Sequence, residues 1–447
     1  MTTDLYIQEV LNEFKKRNPF SPDLLQTVKS FLTAVQPVLD RHPEYIQAGI
    51  LKRLIEPERL IQFRVPWTDD TGNVHVNRAF RVQYNSALGP YKGGLRFHPS
   101  VNADIIQFLG FEQTLKNSLT NLPLGGGKGG SDFDPKGKSE HEIMRFCQSL
   151  MTELQRYIGP DTDVPAGDIG VGAREIGYLF GQYKRLNGFQ NGALTGKPLL
   201  YGGSLGRKEA TGYGLLYFTQ AMLKEKGDTL EGKRVMISGS GNVAIYAIEK
   251  AQELGAVVIG CSDSAGYILD EAGVNLDTIK QLKEMSRKRI SEYVLHHPKA
   301  AYTEGSIWNA ALSYDIALPC ATQNEIDGQM TEQLLKNGVQ IICEGANMPA
   351  NTEAVALFKK ARVLYAPSKA ANAGGVVVSA LEMSQNSLRL KWTTEEVDSR
   401  LQAIMQDIYE TVSKTAKEYD QPGDLEAGAN MAGFLNVAEA MLSQGIV

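Results

Sequence analysis

The stretch Arg234-Val-Met-Ile-Ser-Gly-Ser-Gly-Asn-Val-Ala244 runs directly into Ile245-Tyr-Ala-Ile-Glu-Lys-Ala-Gln-Glu-Leu254. A strand-length apolar run ends in two closely spaced glycines, and a helical pattern begins at once. Strand, tight turn and helix in that order form the pyrophosphate cradle of dinucleotide-binding sheets, where the first amides of the helix face the phosphates. Gly239, Ser240, Gly241, Asn242 and Val243 are therefore the candidate cofactor contacts. Ala244 is a small residue at the place where helix and strand pack closely.

Working outward, Ala256-Val-Val-Ile-Gly-Cys261 is the next strand, and Asp263 stands just past its end. An acidic residue there accepts from a ribose 2′-hydroxyl and favours NAD. Ser262 and Ser264 flank it, and the basic run Arg287-Lys-Arg289 lies on what reads as a solvated helix face. Hydroxyls and cations suit a 2′-phosphate instead, so the residues alone leave NAD and NADP both open. Three more short runs, Asp315-Ile-Ala-Leu-Pro319, Gln340-Ile-Ile-Cys343 and Arg362-Val-Leu-Tyr365, alternate with helical patterns. That alternation predicts a parallel, doubly wound, Rossmann-like sheet.

Before residue 200 the pattern differs. Helical spacing over the first fifty residues gives way to a hairpin, Leu60–Trp67 and Val74–Tyr84, around the turn Thr68-Asp-Asp-Thr-Gly72. Residues 102–121 read as a helix that carries Gln113 and Lys116 on one face. The composition of Gly188–Pro198 is that of a linker or surface loop. A chain of 447 residues suits two domains. The expected division is a substrate-binding and oligomerisation domain over 1–200, rejoined by a C-terminal helix at 425–447, and a dinucleotide-binding domain over 201–424. The fold class is α/β throughout.

Composition narrows the function. A net charge of −5 offers no footprint for nucleic acid, and the apolar runs are strand-sized, too short for a membrane span. The four cysteines follow no metal or disulfide spacing, and no signal peptide is evident, which suits a soluble cytoplasmic protein without metal. Three tempting motifs fail. Gly125–Gly130 has neither the leading glycine nor the trailing hydroxyl of a P-loop. In His141-Glu-Ile-Met-Arg145 an arginine replaces the second zinc-binding histidine. Ser204, in Gly202-Gly-Ser-Leu-Gly206, follows no strand.

What remains is a set of cations beside glycine. Lys128 sits among five glycines in Leu124-Gly-Gly-Gly-Lys-Gly-Gly130, read here as a loop. Lys92 lies in Tyr91-Lys-Gly-Gly-Leu-Arg-Phe-His-Pro99, Lys116 is on the preceding helix, and Asp168 lies between glycines in Pro165-Ala-Gly-Asp-Ile-Gly170. Cations gathered this way suit a substrate that carries carboxylates, and their burial would lower the pKa of at least one of them.

Together with Gly206-Arg-Lys-Glu-Ala-Thr-Gly-Tyr-Gly214 and Asn372-Ala-Gly-Gly-Val-Val-Val-Ser379, these blocks resemble the hexameric glutamate dehydrogenases, in order along nearly the whole chain. The resemblance implies reversible oxidative deamination of L-glutamate to 2-oxoglutarate and ammonium, in amino-acid metabolism and nitrogen assimilation. It also implies a cleft that closes between the domains, and a homohexamer. By position, Lys92 and Ser379 would hold the side-chain carboxylate, and Gln113 and Lys116 the α-carboxylate end. Gly167 would offer its backbone, Lys128 would be the catalytic lysine, and Asp168 the proton shuttle. Thr211, Asn242 and Asn347 would contact the nicotinamide nucleotide. Family members with this glycine turn mostly use NADP rather than NAD, although Asp263 departs from that expectation. The alternatives are a leucine, phenylalanine or valine dehydrogenase, or a catalytically silent dinucleotide sensor.

Overall fold

The computed structural model describes residues 2–447. By compactness the chain divides into two units, Met1–Arg207 with Val376–Val397 and Asn430–Val447, and Lys208–Gly375 with Asp398–Ala429.

In the first unit the predicted hairpin forms as strands β1 (Arg59–Thr68) and β2 (Val74–Asn85), paired antiparallel. Asp69 sets their turn by accepting from the amides of Thr71 and Asn73, each at 2.9 Å. Strands β3 (Tyr91–Phe97), β4 (Gly125–Ser131) and β5 (Asp163–Gly167) complete a mixed sheet of order β1-β2-β4-β3-β5. Arg81, wholly buried, holds three of these strands together. Its Nε donates to Asp163 Oδ2 at 2.9 Å, its Nη2 pairs with Asp163 Oδ1, and its Nη1 donates to the Gly93 carbonyl at 3.1 Å.

The segment read as a glycine loop is a strand. Every residue of β4 is buried, and the strand is hydrogen-bonded on both sides. Its glycines exist because neighbours occupy the space that side chains would need. A Cβ on Gly126 would collide with Thr114 of the overlying helix, one on Gly130 with the Arg96 carbonyl, and one on Gly129 would lie 2.8 Å from Leu95. The predicted helix at 102–121 spans Ala103–Ser118 and starts with Asn102 Oδ1 accepting from the Ile105 amide. On the sheet's other side an aromatic core of Phe97, Phe133 and Phe146 backs the helices Glu140–Leu154 and Ala173–Asn187. Residues 188–198, read as a linker or an ordered surface loop, form an ordered segment, in which Ala193, Leu194 and Thr195 are fully buried rather than at the surface.

The second unit contains the expected sheet. Strands β6 (Arg234–Ile237), β7 (Val257–Ser262), β8 (Gly266–Leu269), β9 (Ala301–Glu304), β10 (Ile316–Leu318), β11 (Ile341–Cys343) and β12 (Leu364–Ala366) lie in the order β12-β11-β10-β6-β7-β8-β9. The five predicted strands pair in parallel, and β8 and β9 add an antiparallel edge that apolar runs did not signal. Residues 287–289 are not helical. Arg287 adopts φ 51, which ends the helical run before it.

Two boundaries differ from the sequence reading. Val376–Val397 groups with the first unit rather than with the rest of 201–424. Its helix, Gly374–Leu388, carries Glu382, whose wholly buried carboxylate pairs with Lys197 at 2.7 Å. The last helix runs Leu425–Gln444 and joins the first unit from Asn430, where Ser118 Oγ donates to the Gly433 carbonyl at 3.1 Å. Among the described residues no helix is long and apolar enough to cross a membrane, and no group of His, Cys, Asp and Glu is arranged to hold a metal ion.

Candidate active site

Lys92 on β3 pairs with Gly126 on β4, and Lys128 stands two residues beyond that partner. Side chains alternate along a strand, so both lysines point to the same face, the one on which Thr114 lies over Gly126. Lys92 is 1% exposed, and its ammonium donates to Thr195 Oγ1 at 2.8 Å. Burial, with the Arg207 and Arg81 charges adding to it, brings Lys92 down to about 7. Lys116 is held down to about 8, first by burial and then by the charge of Lys128. Gln113, one turn before Asn117, donates to it at 2.7 Å. Asn117 in turn reaches the carbonyls of Lys92 at 3.1 Å and Gly125 at 2.6 Å, so the helix and both strands share one network.

Asp168 follows directly on β5, after Gly167. Lys128 Nζ lies 2.9 Å from Asp168 Oδ2, and Arg96 Nε donates to the same oxygen at 3.2 Å. Burial pushes the Asp168 carboxyl upward, but Lys128 and Arg96 outweigh it and bring it to about 2. Ser379 lies on the helix Gly374–Leu388 and is 2% exposed. The first unit therefore brings Lys92, Gln113, Lys116, Lys128 and Asp168 onto connected elements, with Gly167 at the end of β5. Two residues of this neighbourhood escaped the sequence reading. Thr195 lies in a segment without periodic signal. Arg207, beside Gly206 in a block quoted above, has a buried Nε without a hydrogen-bond partner, and burial draws its guanidinium below its ordinary value against the pull of Glu382. A cation next to glycine was the signal that found Lys92 and Lys128, and it applied to Arg207 as well.

The depressed Lys92 has a measurable consequence for stability. Below about pH 7 the lysine is protonated in both folded and unfolded chains, and the cost of burying its charge is fully present. From there up to its ordinary value the unfolded chain binds the proton and the folded chain does not, so stability rises with pH. Lys92→Met removes that gain. The stability of the parent relative to this variant is expected to grow between pH 7 and 9.5 by about 1 kcal/mol per pH unit, as read by urea unfolding at fixed protein concentration. A parallel pH dependence in the two proteins would contradict the burial argument.

In the second unit the glycine turn is as the sequence predicts. Gly239 has φ 86, its amide donates to Ser262 Oγ at 2.8 Å, and Gly241 precedes the helix Asn242–Glu253. A Cβ on Gly241 would meet nothing within 4 Å, so the helix start is open to a phosphate. Ser240 is buried, Asn242 is exposed, and Val243 is half-buried. Thr211 is half-buried in the helix Ala210–Glu225, and Asn347 is exposed, with its Oδ1 accepting from Asn372 at 2.9 Å. Asp263 is not a free acceptor. The amides of Ala265 and Ile290 donate to it at 2.9 Å each, and Lys283 Nζ does so at 3.2 Å. Burial opposes these contacts, yet they hold its carboxyl below the usual range. Beside it Arg289 Nη1 donates to Ser264 Oγ at 2.7 Å.

A dinucleotide-type sheet in one unit and buried lysines facing a carboxylate in the other define a two-unit α/β oxidoreductase. Comparison with known proteins narrows this class. The family model for the Glutamate/Leucine/Phenylalanine/Valine dehydrogenases matches residues 202–445, and that of the Glu/Leu/Phe/Val dehydrogenase dimerisation domain matches 57–185. The chain belongs to this dehydrogenase family. It is 55% identical over 446 residues to the NADP-specific glutamate dehydrogenase of Giardia intestinalis, covering 99% of both chains. To the enzyme of the same name from Escherichia coli it is 55% identical over 445 residues, again 99% of both. The crystal structure of Plasmodium falciparum glutamate dehydrogenase superposes with a TM-score of 0.97 at 51% identity, with 100% of this chain and 96% of that one covered.

Proposed function

We propose that this protein catalyses the reversible, NADP-dependent oxidative deamination of L-glutamate to 2-oxoglutarate and ammonium. The observation that carries the reading is Lys92, a wholly buried ammonium fixed by Thr195 with the Arg207 charge nearby. A site for an apolar side chain has no use for such a cation, because burying it unpaired is costly. A dicarboxylic substrate supplies the missing countercharge.

Lys92 and Ser379 hold the side-chain carboxylate, with Arg207 adding charge, and Lys116 and Gln113 hold the α-carboxylate. The backbone of Gly167 approaches the amino end. When bound, the nicotinamide dinucleotide would supply the hydride chemistry at Cα. As the hydride leaves Cα, the amine becomes an imine. Lys128 takes a proton from water as the oxygen adds to the imine carbon. Asp168 takes a proton from the substrate ammonium before the hydride leaves, returns it to the departing nitrogen, and takes up the hydroxyl proton as the carbonyl forms. Ammonium and 2-oxoglutarate leave. The 2.9 Å separation of Lys128 and Asp168 lets both act at one reacting centre.

The cradle at Gly239, Ser240, Gly241, Asn242 and Val243 fits the pyrophosphate, and Thr211 and Asn347 fit the nicotinamide end. NADP is the coenzyme because the Asp263 carboxylate is already occupied, while Ser264 and Arg289 present donors beside it for a 2′-phosphate. Arg289→Ala is expected to raise KM for NADPH about 5- to 10-fold and leave that for NADH within about twofold. Arg289 is 62% exposed, which keeps the expected effect at the low end for a charged contact. Equal changes for both coenzymes would exclude Arg289 from the phosphate site.

The direct test is the initial rate of 2-oxoglutarate amination with NADPH and NADH side by side. Deamination of glutamate, leucine, phenylalanine and valine follows as a substrate panel. A preference for an apolar amino acid would replace the glutamate reading with that of its relatives. The same reading makes the functional particle a homohexamer in which residues 1–200 carry the assembly contacts. Its mass by sedimentation should be six times 49.0 kDa.

A further inference from the structure

Lys197 and Glu382, 185 residues apart in sequence, form an ion pair at 2.7 Å in which neither side chain has any exposure. A buried pair of this kind gives little net stability, since desolvation offsets its attraction, so its presence calls for another reason. Its surroundings supply one. Glu382 also accepts from the amides of Gly196 at 2.9 Å and Lys197 at 3.4 Å. Lys197 Nζ donates to Asn386 Oδ1 at 2.8 Å and to the Leu194 carbonyl, and Asn386 Nδ2 donates to the Gly202 carbonyl at 2.7 Å. Every polar atom of the pair is satisfied, which makes the network rigid.

Two elements are locked by it. One is the segment 194–197, whose Thr195 receives the Lys92 ammonium. The other is the helix Gly374–Leu388, on which Ser379 stands three residues before Glu382 and hence on the same face. Burial pulls Lys92 and Arg207 toward the neutral form, and in both cases the Glu382 charge works against that pull.

We propose that the buried Lys197–Glu382 pair is a positioning device, fixing Thr195 and Ser379 around the cationic end of the substrate pocket and so setting affinity for the distal carboxylate. The inference rests on the functional reading above. It assigns these two residues to no chemical step. They touch neither the reacting carbon nor the amino group, and they act through the residues that they hold.

Glu382→Gln keeps the shape and removes the charge. The expected result is a rise of about 10-fold or more in KM for 2-oxoglutarate, with kcat within about threefold and KM for NADPH unchanged. The inhibition constant of glutarate, which has both carboxylates and no reactive carbonyl, rises by the same factor. Glu382→Asp recovers part of the loss. A general loosening of the fold would instead lower kcat and KM affinity together, and that outcome, or an unmoved KM, overturns the proposal. If Glu382→Gln does not fold, Asn386→Ala carries the test, since it removes one acceptor of Lys197 and spares the ion pair. It should raise KM for 2-oxoglutarate and the glutarate constant about threefold, and no change would be equally fatal. Should the unaltered protein fail to aminate 2-oxoglutarate, the functional reading falls. Calorimetric binding of glutarate to the parent and variant chains would then still decide whether the pair positions a dicarboxylate site.

Discussion

Lys128→Ala is expected to lower kcat for 2-oxoglutarate amination by at least about 10⁴-fold, combining the loss of a general base with the loss of a positive charge at the reacting carbon. Two features of the structure make this variant unusually clean. Lys128 is flanked by glycines in its strand, so an alanine there fills less space than the lysine and leaves the ladder to β2 and β3 intact. The dinucleotide cradle belongs to a separate compact unit, so binding of NADPH, followed by its fluorescence, should stay within about twofold of the parent. Lys128→Arg separates the two contributions. Arginine restores the charge but does not lose its proton at any accessible pH. If proton transfer dominates, the arginine variant is nearly as inactive as the alanine one. Recovery to within tenfold of the parent would reduce Lys128 to an electrostatic role, and an alanine variant with more than a tenth of parental activity would remove it from the chemistry.

The particular residues explain which parts of this architecture were legible in the sequence. The run Arg234–Ala244 was readable because strand, glycine turn and helix are local, and each leaves its own periodicity. The reading of Gly125–Gly130 as a loop failed for an equally physical reason. Glycine density normally marks turns, but here it records the close approach of Thr114, Leu95 and the Arg96 carbonyl, which are distant in sequence. Strands β8 and β9 were missed because their partners are each other and β7, and β9, with Ala301, Thr303 and Glu304 exposed, has no apolar run to announce it. Lys92 and Lys128 were found through the glycines beside them, and Lys116 through its helix. Lys197 also follows a glycine, Gly196, but nothing in the sequence ties it to Glu382, since their relation exists only once the chain has folded. The same limit explains the boundary at Val376. Nothing in the composition of Val376–Val397 says that its helix packs with residues 194–202.

Asp168→Asn is the sharper test of how protons move in the site. At neutral pH Asp168 is a carboxylate held near 2 by Lys128 and Arg96, which by itself would make it a poor proton acceptor. The largest force lowering it is the charge on Lys128. Burial opposes that lowering, so the Asp168 carboxyl is set by a balance in which the Lys128 charge is the largest lowering contribution. The two groups are in direct contact at 2.9 Å, so a change in one acts on the other. Asparagine keeps the size and most of the contacts but cannot carry the proton. The expected loss in kcat is about 10³-fold, with KM for 2-oxoglutarate within about threefold, because Lys92, Lys116 and Ser379 are untouched. Stability changes in the same sense as in the Lys92 case, rising with pH, but in an acid window. A depressed carboxyl stabilises the folded chain above its ordinary value and loses that contribution as pH falls toward 2, so the asparagine variant should be less stable at pH 7 and converge on the parent as pH falls below 4. Combining Asp168→Asn with Lys128→Ala should cost little more than Lys128→Ala alone, since a coupled pair fails when either member is lost. Strictly multiplicative losses in the double variant would mean that the two residues contribute independently, and the coupling argued from their 2.9 Å contact would have to be abandoned.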